Sequence, residues 1–331
     1  MSVLATHEAA DAARSSRLRQ LAATRELTLL AVILVIVAAM SVASPFFFTM
    51  ANFRAISIGM APTAIIAVGM TILLISGGFD LSVGAVLALS STLTALTIVS
   101  GASIPVAVVV GLLSGVAVGL LNGLIVTRFG VNPLVATLGT MSVARGAALV
   151  MTEGFSVSKL PAGFGDVGRS QMAGVPTIVW ITVAIVIVGD LVLRNSVLLR
   201  QVYFVGGNEK AARLSGLAVD RLRVIAYVLS GLLAAVAGVL LSSRLMSGMP
   251  TAGNALELQV LAACVIGGAS LRGGEGTVLG GFLGVIFVAL VNNAMTMLAV
   301  SIYWQMIVIG SVLVAAVALD MLVRRRSARE T

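Results

Sequence analysis

An acidic residue interrupts a long apolar stretch of this chain, in the segment Ser76-Gly77-Gly78-Phe79-Asp80-Leu81-Ser82-Val83-Gly84. Gly77 and Gly78 can end one helix in a left-handed conformation, and Asp80 can then cap the exposed backbone N–H groups of the next helix. The break lies within about 45 otherwise apolar residues, far more than one bilayer crossing needs. This pattern indicates two helices that meet beside a polar pathway, so a transporter is the first hypothesis. Capping alone would explain Asp80; the alternative is that Asp80 and Ser82 belong to a gate or polar lining.

Uncharged amides lie in other apolar runs. Exposure to lipid would leave these amides unpaired, so each one either joins two helices by hydrogen bonds or faces an interior path. Together with the break they make up the candidates for the translocation path or gate, which are Gly77, Gly78, Asp80, Ser82, Asn122, Asn292 and Asn293.

The composition predicts an all-α polytopic membrane protein. Hydrophobic residues make up 59% of the 331 residues and charged residues only 10%, too few for the surface of a soluble domain of this length. Apolar runs between polar breaks give about ten transmembrane helices. The predicted spans are 27–47, 53–75, 81–100, 105–127, 133–152, 175–193, 224–243, 257–270, 277–298 and 304–322. The eighth is short, which suggests a broken or re-entrant element.

The basic residues predict the orientation. Most of the 21 Lys and Arg residues lie in segments that ten spans place on one side of the membrane. A bias of this kind marks the cytoplasmic side, so the positive net charge of +8 is a topology signal and nucleic-acid binding is excluded. The predicted division is a cytoplasmic tail at 1–26, a transmembrane permease domain at 27–322 with a long cytoplasmic loop at 194–223, and a cytoplasmic tail at 323–331.

A weak internal duplication accompanies the ten spans. Leu120-Leu121-Asn122-Gly123-Leu124 near the end of span four is similar to Leu290-Val291-Asn292-Asn293-Ala294 near the end of span nine. Two halves of five spans each would run in opposite directions, as in the inverted repeats of many transporters.

The sequence contains no energy source of its own. Neither Lys159 nor Lys210, the two lysines, lies in a G-x-x-x-x-G-K-[ST] motif, so a P-loop ATPase site is absent. One Cys and one His are too few for a disulfide or a His/Cys metal site, and we expect no metal and no resident cofactor. An ion-coupled transporter would need buried ionisable residues, for which Asp80, Arg145 and Asp190 are the few candidates. ATP bound by a separate subunit is the leading hypothesis.

The predicted cytoplasmic loop contains a short helix between glycines, within Val205 to Leu217. Asn208 suits the N-cap, Glu209 the first turn and Gly216 the C-terminal stop. The helix either rests on lipid headgroups or docks a cytoplasmic partner. The candidates for coupling to that partner are Gly206, Gly207, Asn208, Glu209, Ala211, Ala212, Arg213, Leu214, Ser215 and Gly216, of which Ala211, Arg213, Leu214 and Ser215 should face outward.

These segments together resemble the ribose/xylose-type permease subunits of bacterial ABC importers, over about residues 50–325. The segment Ser76 to Gly84 is similar to that family's S-G-G-I-D-L-S-V-G, with Phe79 in place of Ile. Further matching blocks are Asn132-Pro133 with Thr137-Leu138-Gly139-Thr140-Met141 and Arg145-Gly146, Gly206-Gly207-Asn208 with Ala211-Ala212 and Ser215-Gly216, and Glu257-Leu258 with Gly267-Gly268 and Gly273-Gly274-Glu275-Gly276. Gln259 departs from the family, where Asp is common.

The resemblance implies a set of partners and a substrate class. A cytoplasmic ABC ATPase would dock on residues 206–217, the permease would pair with a second copy or a homologue, and a periplasmic or lipid-anchored binding protein would deliver the ligand. The chain would lie in the lipid of the bacterial inner membrane as a transport subunit without enzymatic activity. The family carries monosaccharides such as ribose, xylose, arabinose and galactose or related furanosyl compounds. Related permeases carry branched-chain amino acids or nucleosides, which is the alternative; an ion-coupled secondary transporter and a membrane anchor without transport are the other hypotheses.

Overall fold

The computed structural model of the protein describes residues 26–301 and, further along, residues 303–305, 307, 308, 310, 311, 314, 315 and 318. The two predicted cytoplasmic tails, 1–26 and 323–331, therefore lie outside the described residues except for Glu26. The tenth predicted span, 304–322, is described in part, and each of its described residues is helical.

Almost all of the described secondary structure is helical, as the composition predicts. The helices are α1 (Glu26–Ala43), α2 (Met50–Ile75), α3 (Val83–Val99), α4 (Ile104–Arg128), α5 (Pro133–Thr152), α6 (Asp166–Arg169), α7 (Thr177–Asn195), α8 (Val197–Gly207), α9 (Glu209–Leu214), α10 (Val219–Leu245), α11 (Leu256–Ile266) and α12 (Val278–Met297). Between α5 and α7 lie a 3₁₀ turn (Ala162–Gly165) and a hairpin of β1 (Gln171–Met172) and β2 (Val175–Pro176), which pair antiparallel with Met172 opposite Val175.

Within the described part of the chain, seven helices are long and apolar enough to cross a membrane: α1, α2, α4, α5, α7, α10 and α12. The apolar helices α3 and α11 are shorter, with 17 and 11 residues. The chain is thus an all-α polytopic membrane protein. The eighth predicted span, 257–270, is indeed short, because Gly267 and Gly268 end α11 and Gly268 has a φ of 95°.

Helices α2 and α10 form the centre of the molecule, and both are largely buried. Helix α4 packs closely along α10, and Gly115 and Gly231 allow this approach, since a Cβ on either residue would collide with the carbonyl oxygen of the other. Gly119 and Gly123 continue the same face of α4 at intervals of four residues. Small residues at the contact let helix backbones approach where lipid provides no hydrophobic driving force.

The two halves pack in the same pattern. Helix α4 contacts α3 and α10, while α12 contacts α11 and α2. The C-terminal part of α2 lies beside the N-terminal part of α10, as the contacts of Gly69 with Ser230 and of Gly78 with Tyr227 show. In the expected inverted repeat, α2, α3 and α4 of the first half correspond to α10, α11 and α12 of the second. The contacts of α4 and α12 have this correspondence.

The connection from α10 to α11 packs along α3 and contains turns but no helix. Gly248 packs beside Ala95 and Gly253 beside Gly84, so residues 246–255 follow α3 over about 16 Å of its length. Arg145 of α5 donates hydrogen bonds to the carbonyl oxygens of Pro250 and Ala252, at 2.9 and 2.5 Å. Non-helical backbone in a membrane is stable only where protein or water satisfies its polar groups. Arg145 performs that structural role here.

Candidate functional site

Asp80 lies at the centre of a buried polar cluster. The side chain is fully buried, and its Oδ1 accepts hydrogen bonds from the Ser82 N–H at 2.8 Å, the Ser82 hydroxyl at 2.5 Å and Asn122 Nδ2 at 3.3 Å. The Ser230 hydroxyl donates to Asp80 Oδ2 at 3.4 Å. Asn122 also donates to Ser82 Oγ at 3.0 Å and accepts a bond of 2.6 Å from the Thr140 hydroxyl. We call Asp80, Ser82, Asn122, Thr140 and Ser230 the Asp80 cluster.

The cluster joins the break between α2 and α3 to three other helices, because Asn122 belongs to α4, Thr140 to α5 and Ser230 to α10. Asp80, Ser82 and Asn122 come together as the sequence suggests. Asp80 is not itself the N-cap residue of α3, which is Ser82, but its Oδ1 accepts the backbone N–H of that N-cap residue. Asp80 lies two residues before the N-cap, and its carboxylate bonds Asn122 of α4 and Ser230 of α10 in addition to Ser82.

Two members of the cluster were missed in the sequence. Thr140 lies within the block Thr137-Leu138-Gly139-Thr140-Met141, but its hydroxyl carries no distinguishing signal there. Ser230 is one of three serines in the apolar helix α10, and its residue type alone does not distinguish it from Ser242 and Ser243. Only the packing of α5 and α10 against the break brings these hydroxyls to Asp80 and Asn122.

Asn292 and Asn293 lie elsewhere. The amides of Asn293 and Asn52 pair reciprocally, with Asn293 Nδ2 donating to Asn52 Oδ1 at 2.7 Å and Asn52 Nδ2 donating to Asn293 Oδ1 at 3.3 Å. This pair joins α12 to the first turn of α2, at the end of α2 opposite to Asp80. Asn292 Oδ1 is buried and has no hydrogen-bond partner among the described residues. The amides of α12 thus form no single site with the Asp80 cluster.

The segment proposed for coupling is helical, and α9 has the ends that the sequence predicts. Asn208 is the N-cap and accepts a hydrogen bond from the Ala211 N–H at 3.1 Å, while Gly216 turns the chain away with a φ of 79°. Gly206 and Gly207 form the last turn of α8, a helix that the sequence did not predict. The side chain of Ala212 packs inward against Val205, Val219 and Leu222. Ala211, Arg213, Leu214 and Ser215 are exposed, Leu214 to 90%.

Ion pairs fix α9 to the start of α10. Arg213 contacts Glu209 at 3.0 Å and Asp220 at 2.6 Å, and Arg223 contacts the other oxygen of Glu209 at 2.7 Å. Partial burial would raise the pKa of Glu209, but the hydrogen bonds from Arg223 and Arg213 outweigh it and hold this pKa below its ordinary value. Hydrogen bonds to Asp220 and Glu209 raise the pKa of Arg213. Glu209 is therefore an anion, and the pairs determine the position of α9 rather than leaving its charges free.

A cavity of about 390 Å³ separates α9 from the Asp80 cluster. Its walls include Gly77 and Gly78 of the break, Glu209 of α9, and Arg223 and Tyr227 of α10. The Tyr227 hydroxyl donates to the carbonyl oxygen of Phe79 at 3.3 Å and so separates this cavity from Asp80. Gly77 and Gly78 thus lie between the coupling segment and the cluster. The described residues contain no group of three His, Cys, Asp or Glu side chains that could hold a metal ion.

Comparison with known families shows which family the chain belongs to. The model of the family described as "Branched-chain amino acid transport system / permease component" matches residues 52–317, most of the chain. The chain belongs to this family. Its members are transport subunits, so this permease is a multi-pass membrane protein and not an enzyme. The expectation of a permease is confirmed.

Individual relatives cover the permease almost completely. It is 41% identical over 296 residues to the ribose import permease protein RbsC of Bacillus subtilis, which covers 89% of this chain and 91% of that one. The ribose import permease protein RbsC of Escherichia coli is 40% identical, covering 87% and 91%. The L-arabinose transport system permease protein AraH of Escherichia coli is 38% identical, covering 88% and 89%. No solved structure matches the permease.

Proposed function

We propose that this permease forms the translocation path for a monosaccharide in an ATP-driven importer. The observation that carries this proposal is the near-complete match to relatives named for ribose and L-arabinose, at about 40% identity. The buried polar cluster at the α2–α3 break supports a path for a hydroxylated solute, since hydroxyl and amide groups can exchange hydrogen bonds with a sugar. Asp80, Ser82, Asn122 and the neighbouring Gly77 and Gly78 line or gate this path.

The energy for transport comes from a separate cytoplasmic ATPase that docks on α9. Ala211, Arg213, Leu214 and Ser215 face outward there, with Leu214 exposed to 90%, so these four side chains are accessible to a protein partner. The ion pairs of Glu209 and Arg213 hold the docking surface in one orientation. A substrate-binding protein delivers the ligand on the opposite side, and a second permease copy or homologue completes the path.

The permease lies in the bacterial inner membrane with both termini in the cytoplasm. The distribution of Lys and Arg supports this orientation, because the α9 end of the bundle carries Arg128, Arg194, Arg200, Arg221, Arg223 and Arg272 in addition to the residues of α9 itself. Asn292 and Asn293, at the other end, then lie on the side where the binding protein delivers the ligand.

A branched-chain amino acid is the second candidate ligand, because the family description names that class. Competition for uptake distinguishes a monosaccharide substrate from a branched-chain amino acid. The permease, its cognate ATPase and its binding protein are reconstituted, and ATP-driven uptake of labelled D-ribose is measured with an excess of L-arabinose, leucine or adenosine. We expect uptake of ribose and competition only by the pentose. Competition by leucine or adenosine but not by L-arabinose would contradict the proposed substrate class while leaving the ATP-driven mechanism intact.

A further inference from the structure

Three Gly-Gly pairs that are far apart in the sequence meet at the α9 end of α2. They are Gly77-Gly78 after α2, Gly206-Gly207 at the end of α8, and Gly273-Gly274 between α11 and α12. The Gly274 N–H donates a hydrogen bond to the Ile75 carbonyl oxygen at 2.8 Å, which joins the last turn of α2 to the loop after α11. Backbone, not side chains, makes this contact.

Any side chain at the centre of this contact would disrupt it. A Cβ on Gly206 would collide with the Ile75 carbonyl oxygen and lie 2.5 Å from Gly274 N. A Cβ on Gly273 would lie 2.8 Å from Gly206 Cα and 2.9 Å from Gly77 Cα. We call Gly77, Gly206, Gly273 and Gly274 the glycine junction. Because it has no rotatable side chains, displacement of one segment moves the others instead of being absorbed by rotamer changes.

Two side chains lie between the surroundings of the junction and the coupling segment. The Tyr203 hydroxyl of α8 donates to the Gly276 carbonyl oxygen at 2.8 Å. Burial raises the pKa of Tyr203 to about 12, so this hydroxyl keeps its proton at neutral pH. Arg223 of α10 pairs with Glu209 of α9, and its guanidinium lies 3.8 Å from the position of a Cβ on Gly77. Tyr203 of α8 thus bonds the loop that contains Gly273 and Gly274, and Arg223 of α10 pairs with α9 beside Gly77.

The junction lies directly before the Asp80 cluster. Gly77 and Gly78 are tied to α2 by N–H bonds to the carbonyl oxygens of Leu74 and Leu73, at 2.9 and 3.0 Å. Asp80 follows two residues later and holds α4 and α10 through its hydrogen bonds. A shift of the α2 end therefore changes the geometry of the Asp80 cluster without any intermediate flexible segment.

We propose that the glycine junction transmits displacement of α9 to the Asp80 cluster, with Gly206 as its central positioning residue. This role rests on the proposed function, since it requires an ATPase that moves α9. Closely packed contacts adopt a few discrete arrangements rather than a continuous range. A small movement of α9 is therefore sufficient to switch the α2–α3 break from one packing arrangement to another. Gly273 and Gly274 extend the same movement to the loop between α11 and α12.

The test measures transport and ATP hydrolysis on the same preparation. The full complex of permease, ATPase and binding protein is reconstituted in proteoliposomes, with D-ribose as the probe. We expect Gly206→Ala to lower the ribose moved per ATP hydrolysed at least about fivefold, the lower limit of typical coupling between sites. Tyr203→Phe removes one hydrogen bond and no volume from the packing, so it should fold and lower the ratio about two- to fivefold. Gly59→Ala on α2 is the control, because a Cβ there meets nothing within 4 Å and the ratio should not change.

The outcomes separate the two proposals. If Gly206→Ala does not insert, Tyr203→Phe decides the result. If transport and hydrolysis fall in proportion, or if the variant moves as much ribose per ATP as Gly59→Ala does, the proposed role of the junction is overturned and the proposed function is not. A wild-type complex that hydrolyses ATP but takes up neither ribose nor arabinose would overturn the proposed function and the junction with it.

Discussion

Replacement of Asp80 tests whether the buried cluster serves transport or only holds the break together. Asp80→Ala removes the acceptor of bonds from Ser82, Asn122 and Ser230. Asn122 keeps a partner in Ser82 Oγ at 3.0 Å, so three donors lose their acceptor: the Ser82 N–H, the Ser82 hydroxyl and the Ser230 hydroxyl.

The structure sets the size of the expected effect. A buried donor without a partner costs about 1–3 kcal/mol, so three such donors should lower the free energy of unfolding by about 3–9 kcal/mol. Asp80→Asn keeps one carbonyl oxygen for Ser82, and the expected loss is about 1–2 kcal/mol. Asp190→Asn is a matched control, because Asp190 is also a buried acid but pairs with Arg194 at 2.6 Å within α7, a helix that contributes no residue to the Asp80 cluster.

The assay compares ATP-driven ribose uptake per inserted molecule with thermal stability in detergent. We expect uptake per molecule to fall about tenfold or more in Asp80→Ala, to an intermediate level in Asp80→Asn, and not at all in Asp190→Asn. A decline in uptake that only follows the decline in inserted protein would refute a role of Asp80 in the path. Asp80 would then be a structural residue of the break.

Three further predictions concern the coupling helix and the amide pair. Ala212→Pro should abolish ribose-stimulated ATP hydrolysis without preventing insertion, because proline removes the N–H that bonds the Asn208 carbonyl oxygen at 2.9 Å. A spin label at exposed Leu214 should become more mobile as pH falls below 4.5. The ion pairs hold the pKa of Glu209 below its ordinary value of 4.5, so their stabilisation of α9 is complete above pH 4.5 and is lost as the pH falls through the lowered pKa. Alanine replacements of Asn52 and Asn293 in a double-mutant cycle should show a coupling of about 0.6–1.7 kcal/mol in unfolding.

Each of these predictions has its own control. Unchanged coupling of hydrolysis to ribose in Ala212→Pro would remove the docking role of α9. In Glu209→Gln the label should be mobile throughout the pH range, and an equally steep pH response in this variant would exclude Glu209 as its cause. Additive effects of the two asparagine replacements would show that the amide pair contributes no interaction energy across α2 and α12.

Local patterns in the sequence predict the breaks and caps well. Gly77 ends α2 with a φ of 83°, and Asn208 and Gly216 enclose the short helix α9, as their residue types indicate. Such features depend on the backbone preferences of a few adjacent residues. The contacts of Asp80 with Thr140 and Ser230 could not be predicted in the same way, because they depend on the register of α5 and α10 against the break.

The separation of Asn122 from Asn293 has a similar origin. Both residues are amides in apolar runs, which is why the sequence places them among the same candidates, and both lie near the ends of helices in the two halves. Asn122 packs near the start of α10, whereas Asn293 packs at the start of α2. Equivalent positions in oppositely directed helices fall at opposite ends of the bundle. The convergence of the three Gly-Gly pairs likewise becomes visible only when α2, α8 and the α11–α12 loop are placed together.

The source of energy is the point that a single measurement tests most directly. The purified permease is sealed into vesicles, alone or with its ATPase and binding protein, and labelled ribose inside the vesicles is followed over time. We expect concentrative uptake only when the ATPase, the binding protein and ATP are all present, because the sequence contains no P-loop. Accumulation by the permease alone under a proton or sodium gradient would contradict transport driven by a separate ATPase.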